Sequence, residues 1–383
     1  MQGIDIVDFH LHSKFSIPSS KDMTIQRMVE VAKLKGITIL GSGDILLKSW
    51  SDMLESTLEF EKGFYYFDGF PIILTGEINL TFERYDRLKM FHIVLAFPDF
   101  DAVYEFKKCF KGANFDTIAR PNIKMNPSEF LKKVKAINPD IQMILAHIFT
   151  PHFGILGAEN NFKSLEEVFE EDVSEDVFLE TGLSADPNMV FSVEELRKFV
   201  VISSSDAHSP SHIGREATCI KEAYSFKELF ENLMERDSLF TLEDFPCLGK
   251  YYLDGHRSCK FKTNDFSIEK CPCCGKKLTK GVLHRVVELG GSTNYLSIQK
   301  FFNVIPLKDI LAKVYKKNEV ENVYFSLVNE FENEINVVLF ADLDDLGYYL
   351  NDSALSTLKS IRENSLDFDC GYDGVYGKWK VLA

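Results

Sequence analysis

The chain has 383 residues, 26% of them charged and 45% apolar, with a formal net charge of −15. That balance describes an ordinary globular protein with room for more than one domain, not a disordered or fibrous chain. No apolar stretch approaches the roughly 18 residues of a membrane span, and Met1 leads straight into a strand-like run with no signal pattern, so a cytoplasmic protein with no membrane partner is expected. Eight cysteines then read as metal ligands and buried thiols rather than disulfides. The acidity disfavours nucleic acid unless basic charge is concentrated locally.

In chain order, Ile4–Phe9 reads as a strand. Thr24–Lys35 reads as a helix, with Ile25, Met28, Val29 and Ala32 on one face and Gly36 ending it. Strands are predicted at Ile37–Leu40, Ile72–Thr75, Phe91–Phe97, Met143–His147, Val177–Glu180 and Val200–Ser203. Helices are predicted at Ser128–Ala136, Leu165–Glu170, Val193–Phe199 and Phe226–Arg236. The alternation is that of a parallel α/β barrel or open sheet. Beyond it, Ile305–Val314 and Leu355–Ile361 are amphipathic, and Gly371-Tyr372-Asp373-Gly374-Val375-Tyr376-Gly377 forms a shaped loop that either docks as a tail or grips DNA.

Ligand-type residues end these apolar runs. His10 and His12 are spaced i, i+2 behind Asp8, so on a strand they point the same way. Asp44 follows the second run, Glu77 the third, and His92 lies within the fourth. His147, Glu180, and then Asp206 with His208 close the later ones. Barrel folds build their sites at the carboxyl ends of strands. Mixed imidazole and carboxylate ligands suit Zn, Mn, Fe or Mg.

That order of ligands resembles the polymerase-and-histidinol-phosphatase (PHP) superfamily. The wording around Gly41-Ser42-Gly43-Asp44, Ala146-His147-Ile148-Phe149-Thr150-Pro151, Glu180-Thr181-Gly182-Leu183-Ser184-Ala185-Asp186-Pro187 and Ser205-Asp206-Ala207-His208-Ser209-Pro210 resembles its endonuclease Q group. So do Gly214-Arg215-Glu216-Ala217, Asp254-Gly255-His256-Arg257, Val282-Leu283-His284-Arg285-Val286 and the terminal Gly/Tyr loop. The resemblance implies a distorted seven-stranded β/α barrel over 1–245, a zinc-binding basic module over 246–295 and a mainly helical region over 296–383. It implies two to three catalytic divalent ions: one on His10, His12, Glu77 and Asp206, another on Glu77, His92 and His147, with Glu77 bridging. Asp44 and His208 would hold a third, weakened because Leu47 stands where the group usually has a histidine; His152 is an alternative ligand. Glu77 and Asp206 would be essential to catalysis, and His208 or Glu180 would accept a proton.

Cys271-x-x-Cys274-Gly275 is a zinc knuckle, and His256-x-x-Cys259 supplies the other pair of a structural Zn2+ site. Cys247 and His284 are alternatives to His256 as the fourth ligand. Cys273 is a bystander, while Cys109, Cys219 and Cys370 are expected in cores. From Leu248 to Arg285 the chain carries nine Lys or Arg and three acids, about +6 against about −21 for the remainder. A basic module on an acidic body suits DNA. Arg215, Arg257, Lys276, Lys277, Arg285, Tyr372 and Tyr376 are the expected nucleic-acid contacts, with Tyr251, Tyr252 and Phe261 as further stacking candidates.

The implied function is DNA repair: hydrolysis of the phosphodiester 5′ to a deaminated base (hypoxanthine, uracil, xanthine) or abasic site by metal-activated water. DNA bearing such nucleotides is the expected partner, and a replication clamp stands open as a second one. Two alternatives remain: a small-molecule phosphoesterase of the same superfamily, and a non-catalytic DNA-binding protein with a decayed metal site.

Overall fold

A computed structural model describes residues 3–292, 295–297 and 299–380. Its spine is one mixed sheet of β1 (Ile4–Asp8), β2 (Ile39–Gly41), β3 (Phe70–Arg84), β4 (Arg87–Phe97), β5 (Gln142–Leu145), β6 (Val177–Glu180), β7 (Val200–Ile202), β8 (Ala217–Lys221), β9 (Phe240–Glu243) and β10 (Lys300–Asn303). Across the sheet the order is β7-β6-β5-β4-β3-β2-β1-β8-β9-β10, with Glu59–Glu61, Phe64–Phe67 and Asn122–Lys124 paired off this path. The sheet curls until its ends approach. Gln299, just before β10, donates from Nε2 to the Val201 carbonyl of β7 across 3.1 Å.

The parallel pairing expected from the alternation holds for β1–β2, β2–β3, β5–β6, β6–β7 and β9–β10, and antiparallel pairs join these runs. β3 and β4 form a long antiparallel hairpin from Leu74↔Phe97 to Arg84↔Arg87, and β5 joins β4 antiparallel. β8 pairs antiparallel with both β1 and β9. The hairpin was hidden because its turn is Tyr85-Asp86, both left-handed (φ 54° and 55°) without a glycine to announce it. The helix expected at Val193–Phe199 is a 3-10 segment, Glu194–Lys198, preceded by an α-helix at Pro187–Ser192. Its start was written in the sequence: Asp186 caps Met189 N–H at 2.8 Å, and Pro187 opens the first turn.

The helix Ile25–Lys35 is capped by Thr24 and ended by Gly36 at φ 93°. Strand residues of alternate parity face two apolar layers. Val7, Ile39, Ile73, Val94, Ile144, Phe178 and Ile202 pack with Phe226, Leu229, Phe230 and Leu233 of the helix Phe226–Glu235, while the opposite faces join the larger core. Each large side chain so buried stabilises the fold by roughly 1.5–3 kcal/mol.

After β9 a short hairpin pairs Asp254–His256 with Phe261–Thr263, and the helix Val282–Glu288 follows. Most of the described chain beyond β10 is helical: Leu307–Val314, Lys317–Glu330 and Asp352–Arg362 are its longest helices. The Gly371–Gly377 loop returns to the hairpin region. Gly371 N–H donates to Cys247, Gly377 N–H to Leu248, and Asp373 accepts from Arg257 N–H at 2.6 Å. No helix among the described residues is long and apolar enough to cross a membrane.

Candidate metal centre and active-site pocket

The residue after β1 continues extended. Leu11 bridges Ala207 in parallel, and His12 N–H donates to the Ala207 carbonyl at 3.0 Å, so the His10 and Asp206 segments run side by side. Glu77 comes from the middle of β3, not from beyond its end, and His92 from β4. His147 and Asp206 follow β5 and β7 at φ 32° and 46°. Asp44 follows β2 at φ 49°. Such left-handed backbone at non-glycine residues is strained, and three of the residues that carry it meet here. Gly182 lets the β6 end approach it: a Cβ there would lie 2.4 Å from the His147 Cβ.

Three sets of donor atoms converge, each within 4.8 Å: His10, His12 and Glu77; Glu77, His92 and His147; His12, Asp206 and His208. Glu77 belongs to the first two. His12 Nε2 is 3.4 Å from Glu77 and 3.1 Å from Asp206. His10 Nε2 is 3.7 Å from Glu77 and 3.6 Å from Asp206.

Two residues expected as ligands stand one shell back. Both oxygens of Glu180 lie 3.1 Å from His10 Nδ1, and one also accepts the His147 N–H at 2.9 Å. Asp44 accepts from Ser13 N–H (2.7 Å), Ser13 Oγ (2.6 Å) and Ser16 Oγ (3.0 Å), and faces His12 Nδ1 at 3.3 Å. Each carboxylate therefore grips the far nitrogen of a histidine and leaves Nε2 free toward the centre, as carboxylates behind metal-binding histidines do. Asp44, expected as a ligand, has its oxygens occupied by four donors. Glu180, expected as a ligand or a proton acceptor, braces His10 and the His147 backbone. Leu47 is 3% exposed and belongs to the apolar core. His152 lies in the pocket wall but in none of the three sets.

The buried site is strongly polarised. Burial would push His10 and His12 down, but Glu180, Asp206, Glu77 and Asp44 more than reverse it: His10 is raised well above its usual value and His12 to about 9. Burial likewise would raise Glu77 and Asp206; the imidazoles, and for Glu77 also Arg120, hold both well below the usual carboxylate range. His92, dominated by burial, falls to about 4. Within this cluster His10 Nε2, His147 Nδ1 and both oxygens of Glu77 lack a well-formed hydrogen bond although buried. Orphaned polar atoms of this kind are costly. Divalent cations would satisfy them, and the mixed donor set fits such ions.

The centre opens into a cavity of about 370 Å³ walled by Arg120, Phe153, Lys250, Tyr251 and Tyr376. Arg120 and Phe153 carried no sequence signal. The Arg120 guanidinium is 3.0 Å from Glu77 and 3.2 Å from His92, and Phe153 stacks on the His92 ring at 4.6 Å. Ser13 and Ser16, which fix Asp44, were also missed; Ser13 directly follows His12 in the chain.

In the module, His256, Cys259, Cys271 and Cys274 bring their donor atoms within 4.8 Å of one another, an arrangement that would close around a tetrahedral ion. The Cys271 thiol, which burial alone would raise, is brought down to about 7 by the Cys273 and Cys274 N–H groups and by neighbouring thiols. His284 is instead held by Asp254 at 2.6 Å, and Cys247 lies against Cys370. Cys273 and Cys109 are exposed, the latter against the core expectation, while Cys219 is buried.

The expected DNA contacts divide. Arg257, Lys276, Lys277 and Tyr376 are exposed, and Tyr376 lines the pocket. Arg285 is not on the surface. It is fully buried, donating to the Leu156 carbonyl at 2.7 Å and to that of Phe162, and pairing with Glu288 at 3.1 Å. Tyr372 is 9% exposed, beneath Lys262. Arg215 is 8% exposed and spends its guanidinium on the carbonyl of Ser205 at 2.9 Å, beneath the Asp206 turn. Both arginines were read as surface cations because charge alone does not reveal burial.

No family model matches the sequence. The uncharacterized protein MJ0043 of Methanocaldococcus jannaschii is 29% identical over 252 residues, 61% of this chain, and the chain spans only 31% of that relative's length. The uncharacterized protein YqxK of Bacillus subtilis is 26% identical over 97% of this chain and 98% of its own. Among solved structures, the lesion-specific endonuclease PfuEndoQ of Pyrococcus furiosus matches with a TM-score of 0.86 and 27% identity over 99% of this chain and 95% of its own. Endonuclease Q in complex with a 27-mer duplex substrate carrying an abasic lesion at its active site matches with a TM-score of 0.88 and 27% identity, covering 99% of this chain and 97% of that one.

Proposed function

We infer that this chain, which has the architecture of endonuclease Q over its whole described length, is a metal-dependent DNA repair endonuclease. It acts on DNA carrying damaged nucleotides, and we propose that it cuts the phosphodiester 5′ to deaminated bases and abasic sites. The observation that carries this reading is the whole-chain match, zinc-type module included, around a pocket whose donor atoms suit divalent ions.

His10, His12, Glu77 and Asp206 would hold one catalytic ion and Glu77, His92 and His147 another, with Asp206 and His208 on the side of a weaker third. Such ions supply a water of lowered pKa and positive charge opposite the phosphate oxygens. The chain's own residues do the rest. Glu180 and Asp44 hold the imidazoles in the tautomer that presents Nε2 to the centre. His208, on the open side of the site with a quarter of its side chain exposed, is placed to take a proton. Exposed Arg257, Lys276 and Lys277 would bind backbone phosphates, and Tyr376 would stack at the pocket mouth. Damaged nucleotides cost less to turn out of the stack, which favours them in a recessed pocket. A structural Zn2+ would sit on His256, Cys259, Cys271 and Cys274.

A small-molecule phosphoesterase would need neither the cysteine module nor its basic face. The deciding experiment offers the protein duplexes with one deoxyinosine, deoxyuridine or abasic site, with Mn2+ or Mg2+. A single nick immediately 5′ of the lesion, with 3′-hydroxyl and 5′-phosphate ends, is expected. Hydrolysis of small phosphomonoesters with no nicking of any lesion duplex would overturn the reading.

A further inference from the structure

Arg120 stands in the turn before the short strand Asn122–Lys124, which pairs in parallel with Asn79–Thr81 of β3. The Pro121 carbonyl accepts from Asn79 N–H at 2.9 Å, so the arginine backbone is fastened two residues from Glu77. Its side chain is 28% exposed and reaches into the pocket. A guanidinium offers five donors. Among the described residues its partners are Glu77, at 3.0 Å, and the His92 ring, at 3.2 Å. Arg215, which also lines the pocket, is anchored to the Ser205 carbonyl, and buried Arg285 divides its donors between backbone carbonyls and Glu288.

The partners of Arg120 are themselves donor atoms of the candidate metal sets. Once cations occupy those sets, the lone pairs of Glu77 and His92 are committed and the cations repel the guanidinium. Arg120 then has donors with no protein acceptor, in a pocket open to a phosphodiester. We infer that Arg120 is a phosphate-binding catalytic residue, which turns from Glu77 to a non-bridging oxygen of the scissile phosphodiester when the metal centre is loaded. This deepens, and rests on, the endonuclease reading. Its geometry suits the role: a planar fork takes two phosphate oxygens, and its charge opposes the negative charge that grows on them during in-line attack. No bond to Arg120 forms or breaks; it binds and stabilises.

The test measures binding as well as rate. Fluorescence anisotropy in Ca2+ follows the full chain on a lesion duplex whose scissile phosphate is native or replaced by an uncharged methylphosphonate. Arg120→Ala should weaken binding to the native duplex by about tenfold. The methylphosphonate should weaken wild-type binding by a similar factor, yet change Arg120→Ala by less than about twofold, because the contact is already gone. Arg120→Lys should recover part of the loss, and metal content by mass spectrometry should be unchanged in both variants. Equal methylphosphonate losses in wild type and Arg120→Ala would overturn the contact. So would loss of bound metal in Arg120→Ala and Arg120→Gln alike, which would make the arginine a support for the centre. Wild-type protein that nicks no lesion duplex would instead overturn the endonuclease reading itself.

Discussion

Both carboxylate oxygens of Glu180 lie 3.1 Å from Nδ1 of His10, although 170 residues separate the two in sequence. The carboxylate ends β6 and the histidine follows β1, so the contact exists only because the sheet curls. It divides the acidic residues of the site into those that face the centre and those that hold its histidines.

Glu180→Gln should therefore weaken metal binding rather than abolish the chemistry. Loss of a carboxylate behind a metal-binding histidine typically costs about 10–100-fold in affinity or activity. Nicking assayed across Mn2+ concentrations should show a raised half-maximal concentration, with most of the maximal rate recovered at saturation. A rate that stays below about a hundredth of wild type at any metal concentration would instead make Glu180 a catalytic group.

Glu77→Ala and Asp206→Ala remove charges that face the centre directly. Each should abolish nicking and lower the bound catalytic metal, while the circular dichroism spectrum is retained. Full activity in either variant would dismantle the proposed metal assignment.

The ion-free centre predicts a pH dependence. His12 has a folded value of about 9 against an ordinary 6.5. The folded state therefore binds the proton more tightly, and that stabilisation is complete below about 6.5 and lost as pH rises through 9. Buried Glu243, raised to about 8 by desolvation, acts in the same direction as it ionises. In chelator the melting temperature should fall between pH 6.5 and 9. Metal affinity should rise over the same window, because binding must displace the His12 proton. A melting temperature flat or rising across that range in chelator would contradict the charge distribution described.

Arg285→Ala should unfold the protein more readily by about 3 kcal/mol, since it orphans buried carbonyls and leaves a cavity. DNA affinity of the remaining folded protein should barely change. Lys276→Glu with Lys277→Glu should do the opposite: unchanged melting, weaker DNA binding and a shallower dependence of affinity on salt. Denaturant melts and anisotropy titrations separate the two outcomes.

Cys271→Ser should release one zinc and loosen the 248–285 segment while the curled sheet survives, because small zinc modules draw their folding energy from the metal. Zinc content together with hydrogen exchange resolved by segment would report it; full zinc retention would reject the four-residue site.

The sequence by itself determined which residues are proposed to do the chemistry. A histidine or carboxylate that interrupts an apolar run is conspicuous, since local burial has no other use for it. His10, His12, Glu77, His92, His147, Asp206 and His208 were legible for that reason, the quartet His256, Cys259, Cys271 and Cys274 by its paired spacing, and the structure brings each set together. Only the tertiary structure decided rank within the site. Asp44 and Glu180 look like ligands in the chain and turn out to brace histidines, because that depends on which nitrogen of a distant ring each carboxylate meets. Arg285 and Arg120 make the same point from opposite sides. One is a surface cation by composition and is buried in fact; the other has no motif around it and stands in the pocket. Charge and spacing are local and can be read along a chain, whereas burial and the direction of a hydrogen bond are set by partners far away in it.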